Sequence, residues 1–221
     1  MKVAVLFSGG KDSSLALHKA KQAGHEICYL LSVIPTNKDS FMFHQPNLAL
    51  LKKQAEELKI KLITRESRGE KELELQDLEL IIQEVKDKIN GIIAGGIASF
   101  YQGKRIKKIC DKNNLEFILP LWNYTPEQVW QELLQKGFEV ILTKISCEGI
   151  KKEFLGKVIT NQDFDDLQKL IKKYGFRLDF EGGEAETAVL FMPGFKKHIK
   201  IEFDIKSEDK YRHFLEIKKV K

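Results

Sequence analysis

Short apolar runs at residues 3–7, 27–34, 61–64, 91–94, 117–120 and 140–145 read as buried strands. Between them, residues 13–23, 46–58, 72–88, 102–113 and 126–136 carry apolar positions at helical spacing. In 72–88 these are Leu73, Leu75, Leu78, Ile81, Ile82 and Val85. Pro46 and Pro126 stand where prolines start helices, and Thr125 offers a cap before the second. Alternation of this kind predicts an α/β fold built on a doubly wound parallel sheet. Such sheets bind ligands at the carboxyl ends of their strands. The order changes near Ser146. Residues 147–156 read as a loop with a short turn and 162–174 as a helix. Then come 187–192, a Pro193-Gly194 turn, 196–204 and 211–220. Alternation of Ile199, Ile201 and Phe203 suggests an antiparallel strand. The expected division is a nucleotide domain over 1–146 and a small α+β part over 147–221, packed together without a Gly/Ser- or Pro-rich linker.

The first strand runs into Ser8-Gly9-Gly10-Lys11-Asp12-Ser13-Ser14, and a helix follows. Strand, small-residue loop and helix form a phosphate cradle. Glycines let the backbone approach the anion, and free N–H groups at the helix start point at it. The Walker spacing is missing, and so is the Gly-x-Gly-x-x-Gly dinucleotide pattern. The alternative is an ordinary tight turn with Asp12 or Ser13 near the helix cap. The full string is more specific than that. It resembles the pyrophosphate loop of the N-type ATP pyrophosphatases, which split ATP into AMP and pyrophosphate.

Composition narrows the class without choosing a substrate. The chain has 221 residues, enough for one large domain or a domain with a small appendage. No leader-like or membrane-length apolar run occurs, so a cytoplasmic protein without membrane contact is expected. Net charge is +5, from 37 basic and 32 acidic residues, and the lysines are scattered. A solvated surface explains this better than a nucleic-acid patch. The three cysteines, Cys28, Cys110 and Cys147, form no C-x-x-C and suggest neither zinc nor a redox pair. Cys28 reads as core, and Cys147 follows a strand.

Four further clusters follow predicted strand ends. His44, in Phe41-Met42-Phe43-His44-Gln45-Pro46, reads as a ligand or base, or as a plain loop histidine. Residues 95–105 open with Gly95 and Gly96 and then supply Ser99, Tyr101, Gln102 and Arg105. Arg105 suits a phosphate or carboxylate, or is a solvated helix residue. Trp122 and Tyr124 form either core or an aromatic wall for a cation. Glu181-Gly182-Gly183-Glu184-Ala185-Glu186-Thr187 is either a solvated turn, a negative pocket for a cation, or a magnesium site.

These clusters, in this order, resemble the diphthine–ammonia ligases, a family of N-type ATP pyrophosphatases, in their short archaeal-type form. The likeness spans nearly the whole chain and also includes Pro120-Leu121-Trp122 and the Glu148-Gly149 and Leu155-Gly156 pairs. Gly103 stands where arginine is common, Ala185 where an aromatic is usual and Gln45 where threonine is usual. The first change leaves an anion contact to Arg105. The resemblance implies an adenine nucleotide alpha-hydrolase-like fold. It implies that ATP adenylates the carboxylate of diphthine on a translation elongation factor, and that ammonia displaces AMP. Ser8, Gly9, Gly10, Lys11, Asp12, Ser13, Ser14, Gly95 and Gly96 would then bind ATP, with strand-end backbone near Val5 and Val33 receiving adenine. Asp12 would hold Mg²⁺. Lys11, Asp12, Arg105, Glu184 and Glu186 would be catalytic. His44, Tyr101, Gln102, Trp122, Tyr124, Glu181, Gly182, Gly183, Glu184, Glu186 and Thr187 would meet the substrate. A homodimer is compatible with all of this. Two other readings keep the loop: a tRNA-modifying ATP pyrophosphatase, against which the missing cysteine pair and weak charge count, and an ATP-binding sensor without turnover.

Overall fold

The computed structural model describes residues 1–35, 47–68, 71–96 and 100–221, except for the side chains of 71, 72 and 100–102. His44, Gln45 and Ser99 lie outside the described residues, as do the side chains of Tyr101 and Gln102. By contacts the chain forms two compact units. One is Met1–Ser8 with Asp12–Asn123; the other is Gly9–Lys11 with Tyr124–Lys221.

The first unit alternates β1 (Lys2–Leu6), α1 (Lys11–Gln22, counted here from Asp12), β2 (Glu26–Pro35), α2 (Leu48–Leu58), β3 (Lys61–Ser67), α3 (Lys71–Gln83), β4 (Gly91–Ile93), α4 (Phe100–Lys112) and β5 (Glu116–Ile118). All five strands are parallel, in the order β3-β2-β1-β4-β5. From β1 the chain moves one way across the sheet, and from β4 it moves the other way. Right-handed crossovers therefore send α1 and α4 to opposite faces, which opens a crevice at the carboxyl ends of β1 and β4. The apolar runs supply the core: Ala4, Leu31, Leu78, Ile81, Ile82, Ile92 and Cys110 are almost wholly buried in one cluster. Cys28 packs against it only partly buried. Asn47 caps α2 by accepting the Leu50 N–H, so the helix begins one residue past the cap rather than at Pro46. The expected helix over 72–88 ends at Gln83. There Val85 N–H bonds to Ile82 O, which tightens the chain into a 3-10 turn at Lys86–Lys88.

The second unit holds α5 (Pro126–Gln135), β6 (Glu139–Ser146), α6 (Asn161–Tyr174), β7 (Ala185–Phe191), β8 (Ile201–Ser207) and β9 (Arg212–Val220). Its sheet is antiparallel, in the order β7-β6-β9-β8. The expected boundary at residue 146 is therefore displaced. The division falls after Asn123, and β6 joins the second sheet. A buried apolar run such as 140–145 looks the same in a parallel or an antiparallel ladder, so periodicity could not assign it. Thr125, with Pro126 at the first helical position and Gln128 reaching back, makes the capping box expected of α5. Among the described residues no helix is long and apolar enough to cross a membrane.

The start of α6 carries a second box. Thr160 Oγ1 accepts the Asp163 N–H, while Asp163 Oδ2 accepts the Thr160 N–H (3.0 Å) and hydroxyl (2.7 Å). Lys157 Nζ bonds the other carboxylate oxygen. Burial alone would raise the Asp163 carboxyl, but the bonds from Lys157 and Thr160 override it and hold the group below its ordinary range. The folded value lies below the unfolded one, so the stabilisation is present at neutral pH and lost as the pH falls below about 4. Asp163→Asn is expected to cost about 1 kcal/mol at pH 7. It should also flatten part of the acid-side fall in urea midpoints measured from pH 7 to pH 3.

Candidate functional site

In the first unit the candidate residues lie at the carboxyl end of β1. Ser8 N–H donates to Ser13 Oγ (3.3 Å), and the two hydroxyls lie 3.2 Å apart. This folds the string back over the start of α1. Ser14 is fully buried, and its Oγ has no hydrogen-bond partner among the described residues. Gly95, just beyond β4, lies directly against this turn. A Cβ there would stand 2.6 Å from the Asp12 carbonyl group and the Ser13 nitrogen, all backbone atoms. Gly96 faces open space. Pairing of β1 with β4 is what brings Asp12 and Ser13 against Gly95.

Pairing between β1 and β2 stops at Leu6↔Leu31, where Phe7 N–H donates to Leu31 O (2.8 Å). Alternation along β2 then turns the Val33 N–H and C=O to the same edge as those of Leu31, past the end of β1. Backbone groups at that edge can read a planar heterocycle. Arg105 has another setting. It lines a cavity of about 300 Å³ with Leu75, Gln76 and Glu79 of α3 and Lys108 and Ile109 of α4. Trp122 lies near Gly103 of α4, its ring 3.9 Å from where a Cβ would stand.

The second unit contains the tip of the loop, Gly9–Lys11. Gly9 has φ 75°, a left-handed conformation that suits glycine. Its carbonyl accepts the Val189 N–H of β7 (3.0 Å), and Lys11 N–H donates to Thr187 Oγ1 (3.1 Å). The Lys11 side chain is only 2 % exposed. Its Nζ donates to Asp179 O (2.8 Å) and lies 5.7 Å from the centre of the Phe180 ring. Thus the ammonium proposed for phosphate is engaged by a backbone carbonyl.

Residues 177–184 make a compact acidic turn. The Asp179 carboxylate takes a two-pronged pair from Arg177 and accepts the Glu181 N–H (3.0 Å). Phe180 has φ 63° and is buried, with its ring edge-on to Trp130 at 6.1 Å. Trp130 Nε1 in turn donates to Leu178 O (3.0 Å). Glu181 lies 3.8 Å from Arg177, and Glu186 lies 3.5 Å from Lys144. Glu184 differs from both. Its Oε1 accepts the Arg177 N–H (3.2 Å), its Oε2 is buried without a hydrogen bond, and it joins no salt bridge among the described residues. A Cβ on Gly182 would stand 2.6 Å from that carboxylate, so the glycine makes room for it. Among the described residues no group of three or more His, Cys, Asp or Glu side chains is placed to hold a metal ion. Burial pushes the Cys147 thiol up; Glu184 adds to this, and a backbone hydrogen bond from Ile150 opposes it. Sequence reasoning missed Arg177, Asp179, Phe180 and Trp130. Only the proximity of Arg177 and Asp179 to the acidic string hinted at them.

Family models now bear on this geometry. Residues 1–116 match the Diphthamide synthase N-terminal domain, and residues 125–221 match the Diphthamide synthase C-terminal domain. The chain belongs to the diphthamide synthase family. A diphthine–ammonia ligase of Bos taurus is 32% identical, covering 91% of this chain and 83% of that protein. The Homo sapiens protein of the same name is 31% identical with the same coverage. Among solved structures, a predicted subunit of tRNA methyltransferase from Methanocaldococcus jannaschii is similar with a TM-score of 0.49 and 18% identity. That match covers 90% of this chain and 99% of the other. The boundary between the two family domains, 116 to 125, agrees with the division after Asn123.

Two glycines test the nucleotide half of this diphthamide synthase family member. Gly95→Ala forces the turn at Asp12 to move, and ATP affinity by calorimetry should fall about tenfold or more. Gly103→Ala meets only an ordinary contact, so ATP affinity should hold while urea unfolding shows a gain of about 0.5–1 kcal/mol.

Proposed function

We propose that this protein completes diphthamide by amidating diphthine on a translation elongation factor, with ammonia as nitrogen donor and ATP as the source of driving force. Family membership supports the reaction. The observation that carries the reading is the bonding of the phosphate loop to β7: Gly9 and Lys11 meet Val189 and Thr187, at the strand that the acidic string enters.

Each residue then has a task. The N–H groups and hydroxyls of Ser8, Gly9, Gly10, Ser13 and Ser14, with the N-terminus of α1, hold the departing pyrophosphate and stabilise its charge. A carbonyl does not neutralise an ammonium, so Lys11 still contributes positive field there although it does not reach out. Gly95 and Gly96 give the polyphosphate close backbone approach. The Val33 edge receives adenine. Mg²⁺ takes oxygen ligands and shares them with phosphates, so the single carboxylate of Asp12 at the first turn of α1 suits it; the ion would supply charge to the polyphosphate. Arg105 remains a candidate for an anion at the mouth of its own cavity.

Diphthine carries a carboxylate and a trimethylammonium group. That cation donates no hydrogen bond, so it is recognised by field and by aromatic faces. Glu184, which joins no salt bridge among the described residues, is the principal acidic contact, with Glu181 and Glu186 adding to the field. Trp122, Tyr124, His44, Tyr101, Gln102, Gly182, Gly183 and Thr187 complete the proposed substrate contacts. The carboxylate attacks the α-phosphate and pyrophosphate leaves. Ammonia then adds to the acyl-adenylate and expels AMP. Burial pushes the Cys147 thiol up, which disfavours a thiolate there, and free ammonia is the donor in this reading. A cytoplasmic location goes with such a substrate.

The decisive experiment combines the protein with ATP, ammonium and diphthine-bearing factor, and follows the mass of the factor and the nucleotide products. The expected result is an acid-to-amide mass change with stoichiometric AMP. ADP with phosphate, or AMP release without the factor, would overturn it. Glu184→Gln should lower turnover at least about tenfold with ATP affinity nearly unchanged; equal loss of both would put Glu184 in the nucleotide half.

A further inference from the structure

β8 is an edge strand, and among the described residues no strand pairs with its outer side. Asp204, Ile205, Lys206 and Ser207 are all exposed, Ile205 by 41 %. The direction of its backbone groups follows from the ladder. Lys200 and Lys221 exchange N–H···O bonds both ways, and Glu208 N–H donates to Arg212 O. The one irregularity, after Glu202, adds a residue to β9 and none to β8. Even-numbered residues of β8 therefore bond inward to β9. The N–H and C=O groups of Phe203, Ile205 and Ser207 point outward.

We infer that this edge pairs with the same edge of a second copy, antiparallel, about a two-fold axis at Ile205. Antiparallel self-pairing requires outward-directed groups at matched positions. At this register Ile205 exchanges both hydrogen bonds with Ile205 of the second copy, and Phe203 pairs with Ser207. The side chains select the register. Asp204 stands opposite Lys206 of the second copy and Lys206 opposite its Asp204, two favourable cross-strand pairs. An axis at Asp204 or Lys206 would oppose two like charges directly. An axis at Phe203 would set Glu202 against Asp204. Within its own chain Asp204 is 3.6 Å from Lys218, and Lys206 is 3.5 Å from Glu216. Those exposed pairs hold little energy and leave both charges open to a partner. Charges on an edge strand normally discourage pairing; here their order makes the strand complementary to itself. The phenyl ring of Phe203 packs on Gly156, which fixes the strand from within. A contact of about five residues per strand falls below the roughly 1,200 Å² of a standard stable interface. The dimer is therefore weak and depends on concentration.

Sedimentation of the full chain from about 1 µM to 1 mM tests this. The expected result is a monomer–dimer equilibrium. Asp204→Lys and Lys206→Asp should each weaken it about tenfold or more, since each places like charges opposite one another at two points. Mixing the two variants should restore a heterodimer, because every facing pair is then complementary; recovery also shows that both variants fold. A monomer over the whole range, single variants that dimerise like the parent, or no heterodimer on mixing would overturn the inference. So would variants that leave sedimentation unchanged and instead weaken binding of the elongation factor, which would assign the edge to the factor.

Discussion

A buried ammonium organises the second unit. Charge removed from water must be met by dipoles or opposite charge. Lys11 finds the carbonyl of Asp179 and the ring of Phe180, while its own N–H holds Thr187. The turn that delivers that carbonyl passes through Phe180 in a left-handed conformation, a cost on the order of 1 kcal/mol. Packing of the Phe180 ring against Trp130 and the bond from Trp130 to Leu178 offset it. The same residue, Asp179, uses its carboxylate to hold Arg177 and the Glu181 N–H. One lysine of the phosphate string therefore fixes the backbone from which the acidic string projects.

That arrangement separates three glutamates of the same string. Glu181 and Glu186 face cations, Arg177 and Lys144. Among the described residues Glu184 joins no salt bridge: one oxygen accepts the Arg177 N–H, the other is buried without a hydrogen bond, and the Arg177 charge reaches it only through space. A partly desolvated carboxylate outside any salt bridge gains more from an added cation than one already paired, because no ion pair must first be broken. Position along the chain could not rank these residues; pairing does.

Much of the first sheet was legible in the sequence because buried parallel strands and amphipathic helices leave strong periodic signals. Gly95 was legible because its close approach to the Asp12–Ser13 backbone admits little else, whereas Gly96 faces open space. The assignment of 140–145 failed because an apolar run does not record the direction of its neighbours. A lysine beside glycines at a strand end suits phosphate, and only the fold reveals that the Lys11 ammonium also meets a carbonyl 2.8 Å away. Arg105 reads as an anion contact from its guanidinium chemistry; the fold sets it in a cavity lined by α3 and α4. Trp130 and Phe180 gave no signal, since an aromatic that supports a strained turn looks like any core aromatic.

The same reasoning applies at the edge of the second sheet. Alternating Glu202, Asp204 and Lys206 reads as a solvated strand, and taken singly each charge is worth little. The parity set by the bond between Glu208 and Arg212 changes this, because it determines which backbone groups face outward and hence which registers are available. Charge then discriminates among few alternatives instead of many. A modest electrostatic preference can fix a register when hydrogen-bond geometry has already reduced the choices, and it cannot do so alone.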